Sequence, residues 1–231
     1  MKTIGLIGGM SWESSLEYYR IINEFVRDKL GALHSAKIVM YSFDFAEIAA
    51  LQHEGNWNAA AELIIGAARR LEKAGADVLV ICTNTMHKVA DEVQKDVTVP
   101  LLHIADATAE EIKTGGLEKV GLLGTKFTME QNFYKERLTE KHSLEVIIPD
   151  EDERQVVDHV IYDELCRGRL AQSSREKFRK IMQNLVANGA EGIILGCTEI
   201  GLLVDQQDVQ VPVFNTTAIH AKAAAQFALR Q

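Results

Sequence analysis

Two peptides, 114 positions apart, hold the side chains best suited to chemistry: Val80-Ile81-Cys82-Thr83-Asn84-Thr85-Met86-His87 and Ile194-Leu195-Gly196-Cys197-Thr198-Glu199-Ile200. Each closes an apolar run headed by a Gly-Ala-acid triplet, Gly75-Ala76-Asp77 in one case and Gly189-Ala190-Glu191 in the other. Each therefore reads as a buried strand ending in a polar turn. Open α/β sheets present reactive groups there, beyond the carboxyl ends of their strands. The second peptide offers a thiol, and the first a thiol beside a hydroxyl. A thiol, with an ordinary pKa of about 8.5 that a cationic neighbour can lower, can both take and give a proton. Two such groups on equivalent loops suit removing a proton from one face of a carbon acid and returning one to the other face.

The elements that must carry these loops repeat along the chain. Ile4-Gly5-Leu6-Ile7-Gly8 recurs as Val120-Gly121-Leu122-Leu123-Gly124, an offset of 116. Asp96-Val97-Thr98-Val99-Pro100-Leu101 recurs as Asp208-Val209-Gln210-Val211-Pro212-Val213, an offset of 112. The order is kept and the offset drifts slowly, as in a duplicated half. In each half a strand (Thr3 to Ile7; Lys119 to Leu123) ends in glycine and gives way to a helix, the first expected to start near Ser11. A long amphipathic helix precedes each triplet. Phe178, Ile181, Met182, Leu185 and Val186 mark it in the second half, and Leu63, Ile64, Ala67, Ala68 and Leu71 in the first. Ser173-Ser174-Arg175-Glu176 matches a capping box, and Gly189 sits where a C-terminal cap belongs. Apolar strands alternating with helices imply parallel sheets covered on both faces. The expected fold is α/β, two pseudo-symmetric lobes from an internal duplication, each a short parallel sheet flanked by helices, with the site in the cleft between them. The first lobe would take residues 1–100 and 213–231, and the second 101–212.

Composition bounds the rest. The chain has 231 residues, 47% hydrophobic and 25% charged, enough for a sizeable core. A net charge of −8 argues against a nucleic-acid partner or a membrane surface. No run approaches a membrane span, and the opening segment is too short and glycine-rich for a signal peptide, so a cytoplasmic protein is expected. Cys82, Cys166 and Cys197 form no C-x-x-C pair, and a small buried hydrophobe is the plain reading of Cys166. The seven histidines show no metal-binding spacing, so no metal is expected. Gly5-x-x-Gly8-Gly9 does not match a dinucleotide fingerprint, but it leaves backbone amides able to approach a carboxylate. No lysine sits in a Schiff-base setting, so nothing points to pyridoxal phosphate and no cofactor is expected.

The paired loops, with the Gly-Gly-Met-Ser-Trp start, resemble the aspartate/glutamate racemase family, which is independent of pyridoxal phosphate, over essentially the whole chain. The resemblance implies pseudo-symmetric lobes, a small amino-acid substrate, a homodimer, and one catalytic cysteine per lobe. Gly196-Cys197-Thr198-Glu199 matches the second-lobe motif. In the first lobe Thr83 stands directly before Asn84-Thr85, where the family usually has cysteine. Strand neighbours point to opposite faces, so Cys82 is expected to face away while Thr83 takes the catalytic position; a locally shifted turn presenting Cys82 is the alternative.

By that analogy Cys197 serves the L-enantiomer, with Thr83 as a weak donor or relay. Met10, Gln52, Asn84, Thr85, Thr198 and Glu199 are the candidate substrate-binding residues. Gln52 falls in the polar turn Leu51-Gln52-His53-Glu54-Gly55, where a solvated loop residue is an equal reading. His87, one helical turn beyond Thr83, reads as a satisfied structural histidine ahead of a catalytic one. Two other readings stay open: another carbon-acid enzyme, such as a hydantoin racemase, maleate isomerase or arylmalonate decarboxylase, and a catalytically weak protein that binds acidic amino acids.

Overall fold

A computed structural model describes residues 1–31 and 33–230. The chain divides into two compact units, Met1–His103 with His220–Gln231, and Ile104–Ile219. Each is an α/β unit with a four-stranded parallel sheet flanked by helices.

The first unit runs β1 (Thr3–Gly8), α1 (Trp12–Leu30), β2 (Lys37–Ser42), α2 (Phe45–His53), α3 (Trp57–Lys73), β3 (Val78–Ile81), α4 (Ala90–Asp96) and β4 (Leu101–Leu102). The second runs α5 (Ile104–Thr114), β5 (Lys119–Gly124), α6 (Lys126–Glu130), α7 (Asn132–Glu136), β6 (Glu145–Ile147), α8 (Glu151–Asp163), α9 (Gln172–Ala187), β7 (Gly192–Gly196), α10 (Ile200–Leu203) and β8 (Val213–Asn215). The last helix, α11 (Thr216–Leu229), begins in the second unit and belongs to the first from His220 onward. The sheet orders are β2-β1-β3-β4 and β6-β5-β7-β8, every pair parallel. Corresponding strands thus occupy corresponding positions.

The central strands are apolar without interruption because both faces are covered. In the first unit Ile7, Leu79 and Ile81 pack against Ile64, Leu71 and Val93 of α3 and α4. Ile4, Leu6, Val78 and Val80 pack on the other face against Tyr18, Ile22 and Val26 of α1 and the small Ala221 and Ala225 of α11.

The two triplets have a shared construction. Gly75 and Gly189 adopt φ of 89° and 94°, a conformation that costs a residue with a Cβ, immediately after α3 and α9. Their N–H groups and those of Ala76 and Ala190 reach back to the carbonyls of Glu72, Val186, Leu71 and Leu185, closing both helices in a Schellman motif. The acid then pins the neighbouring strand. Asp77 Oδ2 accepts from the Thr3 N–H at 2.6 Å, and Glu191 Oε2 from the Glu118 and Lys119 N–H groups at 2.8 and 3.0 Å. Glycine and acid together set where β3 and β7 begin, and hence where they end.

The capping box expected at Ser173 to Glu176 does not form. Helix α9 starts at Gln172 after Ala171, which makes no side-chain cap. Ser173, the residue that would cap, therefore lies inside the first turn, and its neighbour Ser174 donates to Glu164 Oε2 at 2.7 Å.

Within the second unit, Asp106 ties the π-helical turn Arg137–Lys141 to α5. Arg137 grips it through two bonds of 2.8 Å, with Lys141 at 2.7 Å and His142 at 2.9 Å. Burial pushes this carboxyl up, but the bonds from Arg137, Lys141 and His142 outweigh burial and hold it well below the ordinary range. Asp106→Asn is expected to cost about 2 kcal/mol at neutral pH. A depressed carboxyl contributes fully above its unfolded pKa of about 4 and loses that contribution as pH falls further. Thermal unfolding of both forms at pH 7 and near pH 3 should therefore show the penalty shrinking in acid.

Candidate active site

In the first unit, the Cys82 N–H donates to the Ile7 carbonyl at 2.9 Å, so the chain keeps company with β1 for one residue beyond β3. Strand alternation sends the Cys82 side chain into the core with Tyr18, Ile22 and Ala221. Its Sγ lies 3.9 Å from the Val80 carbonyl, and burial pushes the thiol well up. A fully buried, protonated thiol is inert. Thr83, the next residue, retains a little exposure at 8%. Asn84 and Thr85 are buried at the entry to the 3-10 turn Thr85–Val89.

Gln52 is no loop residue. It lies in the last turn of α2, buried, and its Nε2 donates to Met86 Sδ at 3.0 Å. The turn of α2 that carries it faces the core because Ile48, one turn earlier, is also buried. Met10 belongs to the same apolar cluster as Met86. Met10, Gln52 and the Thr83–Met86 turn are thus gathered within the first unit.

The end of β1 is built around Ser15. A Cβ on Gly8 would come within 2.6 Å of Ser15 Oγ, so glycine is what lets the helix approach. Ser15 Oγ accepts from the Gly9 N–H at 2.8 Å and donates to the Ser11 carbonyl at 2.9 Å. The Gly9 amide, expected to be open to an anion, is used internally.

In the second unit, Cys197 follows the buried strand β7 and is 8% exposed. Its Sγ donates to Glu199 Oε2 at 2.9 Å, and Thr198 Oγ1 donates to the same oxygen at 2.7 Å. Glu199 is buried. Burial, followed by the Glu199 carboxylate and then Cys166, pushes the Cys197 thiol well above its ordinary range. The resting group is a thiol hydrogen-bonded to a carboxylate, and one oxygen receives both of its neighbours.

Three further residues near this turn were not singled out from sequence. Burial, followed by the Asp158 charge, pushes up the hydroxyl of Tyr162 on α8, which also feels Glu199. Thr216 Oγ1 donates to the Leu195 carbonyl at 2.7 Å, tying α11 to β7. Thr217 Oγ1 is buried with no hydrogen-bond partner among the described residues. Both threonines lie just past β8, the strand beside β7, a position that the internal repeat could have flagged.

Among the described residues, no group of three or more His, Cys, Asp or Glu side chains is placed to hold a metal ion. No described helix is long and apolar enough to cross a membrane.

A family model described as Asp/Glu/Hydantoin racemase matches residues 7–224. A broad specificity amino-acid racemase of Bacillus subtilis (strain 168) is 25% identical over 225 residues, 95% of each chain. A crystal structure of a Yersinia pestis protein, whose assignment as an Asp/Glu racemase is provisional, is 59% identical with a TM-score of 0.93, covering 100% of both chains. An aspartate racemase homologue from Pyrococcus horikoshii OT3 is 40% identical with a TM-score of 0.86, again over 100% of both.

Proposed function

Since the chain belongs to the Asp/Glu/hydantoin racemase family, we propose that it interconverts the enantiomers of aspartate, glutamate or both without a cofactor, Cys197 acting on the L-enantiomer and Thr83 standing in for the usual second cysteine. The observation that carries this reading is the buried contact of 2.9 Å between Cys197 Sγ and Glu199 Oε2. A carbon acid needs a strong base, and the resting Cys197 is a thiol. Passing its proton to Glu199 creates the thiolate while leaving the charge of the pair unchanged. The substrate ammonium adds the positive neighbour that favours a thiolate. The thiolate then takes the Cα proton, and the negative charge moves onto the substrate.

The opposite face is served less well. A threonine hydroxyl is far too weakly acidic to act as a base near neutral pH, but it can pass on a proton directly or through a water. Enantiomers are equal in free energy, so kcat/KM for inversion must be equal in both directions. What asymmetry permits is exchange of the Cα hydrogen of an L-substrate faster than its inversion. Met10, Gln52, Asn84, Thr85 and Thr198 are assigned to binding the α-carboxylate and amino group, with the protein working as a homodimer in the cytoplasm.

A second reading, a catalytically weak protein that binds acidic amino acids, draws on the burial of Cys82, which leaves the first-unit turn without an accessible thiol. Chiral chromatography of incubations with each enantiomer of aspartate and glutamate, without added cofactor, separates the two. The expected result is slow appearance of the other enantiomer. Thermal stabilisation by these amino acids without any conversion would favour the binding protein instead.

A further inference from the structure

Three histidines are buried in the first unit, and none takes part in the proton transfers above. The His87 ring centroid lies 4.6 Å from that of His103 and 5.6 Å from that of His220. His220 is held on both sides, Nε2 at 2.9 Å from the Leu102 carbonyl and Nδ1 at 2.9 Å from the Tyr18 hydroxyl. A carbonyl can only accept, so Nε2 carries the proton and Nδ1 receives Tyr18. Burial pushes the pKa of His220 down to about 4, and the ring is neutral at physiological pH. His87 Nδ1 stands 2.7 Å from the Thr83 carbonyl, and the same reasoning makes His87 an Nδ1–H tautomer.

The three rings come from separate parts of the chain. His103 is the last residue before the chain leaves the first unit, and His220 is the first after it returns. His87 is packed against both. A buried carbonyl has to be satisfied, and the single bond that satisfies it fixes the plane of its peptide. The peptide plane in turn sets the direction of the adjoining side chain.

We propose that His87 is a positioning residue for Thr83, its Nδ1–H fixing the Thr83 carbonyl and so aiming the Thr83 hydroxyl, while His103 and His220 hold the ring. The inference rests on the role proposed above for Thr83 on the second face of the substrate. It predicts that loss of the Nδ1–H donor harms the return of a proton to that face and spares proton removal by Cys197.

Two measurements test it. Long-range proton–nitrogen correlation spectra of the isotope-labelled wild-type protein should show His87 as the Nδ1–H tautomer; an Nε2–H tautomer would overturn the proposal. Kinetically, the amide nitrogen of His87→Asn can occupy the place of Nδ1, whereas that of His87→Gln reaches toward Nε2. His87→Asn should keep the ratio of inversion to Cα exchange within about threefold of wild type, and His87→Gln should lower it about tenfold or more with exchange itself little changed. An unchanged ratio in His87→Gln, or parallel loss of exchange and inversion, would contradict it. Absence of exchange in the wild type would instead overturn the racemase reading, while the tautomer spectrum would still judge His87. That spectrum also serves if His87→Gln fails to fold.

Discussion

Cys197→Ser is expected to lower Cα-hydrogen loss from L-aspartate and L-glutamate by on the order of a thousandfold or more. The serine hydroxyl has nearly the volume of the thiol and keeps the hydrogen bond to Glu199, but it does not supply a usable base. Cys197 keeps 8% exposure and its partner Glu199 can accept from either group, so the unfolding temperature should hardly move. Cys82→Ser gives the opposite pattern. It places a hydroxyl among Tyr18, Ile22, Val78 and Val80, which should cost about 1–3 kcal/mol of stability and leave exchange per folded molecule nearly intact. Exchange rates and thermal unfolding of both variants check this pair. If Cys82→Ser rather than Cys197→Ser stopped exchange, a shifted turn would be presenting Cys82, and the assignment of Thr83 would fall.

Glu199→Gln should move two properties of the same thiol in opposite directions. The carboxylate raises the Cys197 pKa, second only to burial. Replacing it with an amide removes a like charge, so the thiolate forms at lower pH and iodoacetamide should alkylate Cys197 faster at neutral pH. Glutamine takes no proton from the thiol, and exchange should nevertheless fall by about a hundredfold. The measurements are the pH dependence of alkylation, followed by mass spectrometry of the Cys197 peptide, and the exchange rate. A variant that exchanges as fast as wild type would show that Glu199 only holds Thr198 and the turn in place.

The duplication was legible because it is written in residues with local duties. Gly75 and Gly189 supply a backbone conformation, and Asp77 and Glu191 bond a strand at a fixed register, so neither duty tolerates drift in spacing. The inward direction of Cys82 followed from strand alternation alone. Most of what escaped depends on partners remote in the chain. Ser173 looked like a helix cap, but the helix begins one residue before it, at Gln172. Gln52 looked like a loop residue because nothing nearby in sequence announces Met86 as its partner. In sequence His87 reads as a satisfied histidine ahead of a catalytic one, without its partners, since His103 and His220 converge on it from just past β4 and from α11. Tyr162 carries no local pattern and is marked only by its surroundings, whereas Thr217, marked by an unmatched buried hydroxyl, sits at a position that the internal repeat could have flagged.

One experiment bears most directly on proton removal by Cys197 from an L-amino acid with a weak partner on the other face. Wild-type protein is incubated in D₂O with each enantiomer of aspartate and glutamate, with Cα–H followed by proton NMR and configuration by chiral chromatography on the same samples. The account predicts that an L-substrate loses its Cα–H faster than the D-enantiomer appears. Retention of Cα–H in all four amino acids, despite demonstrable binding, would contradict it.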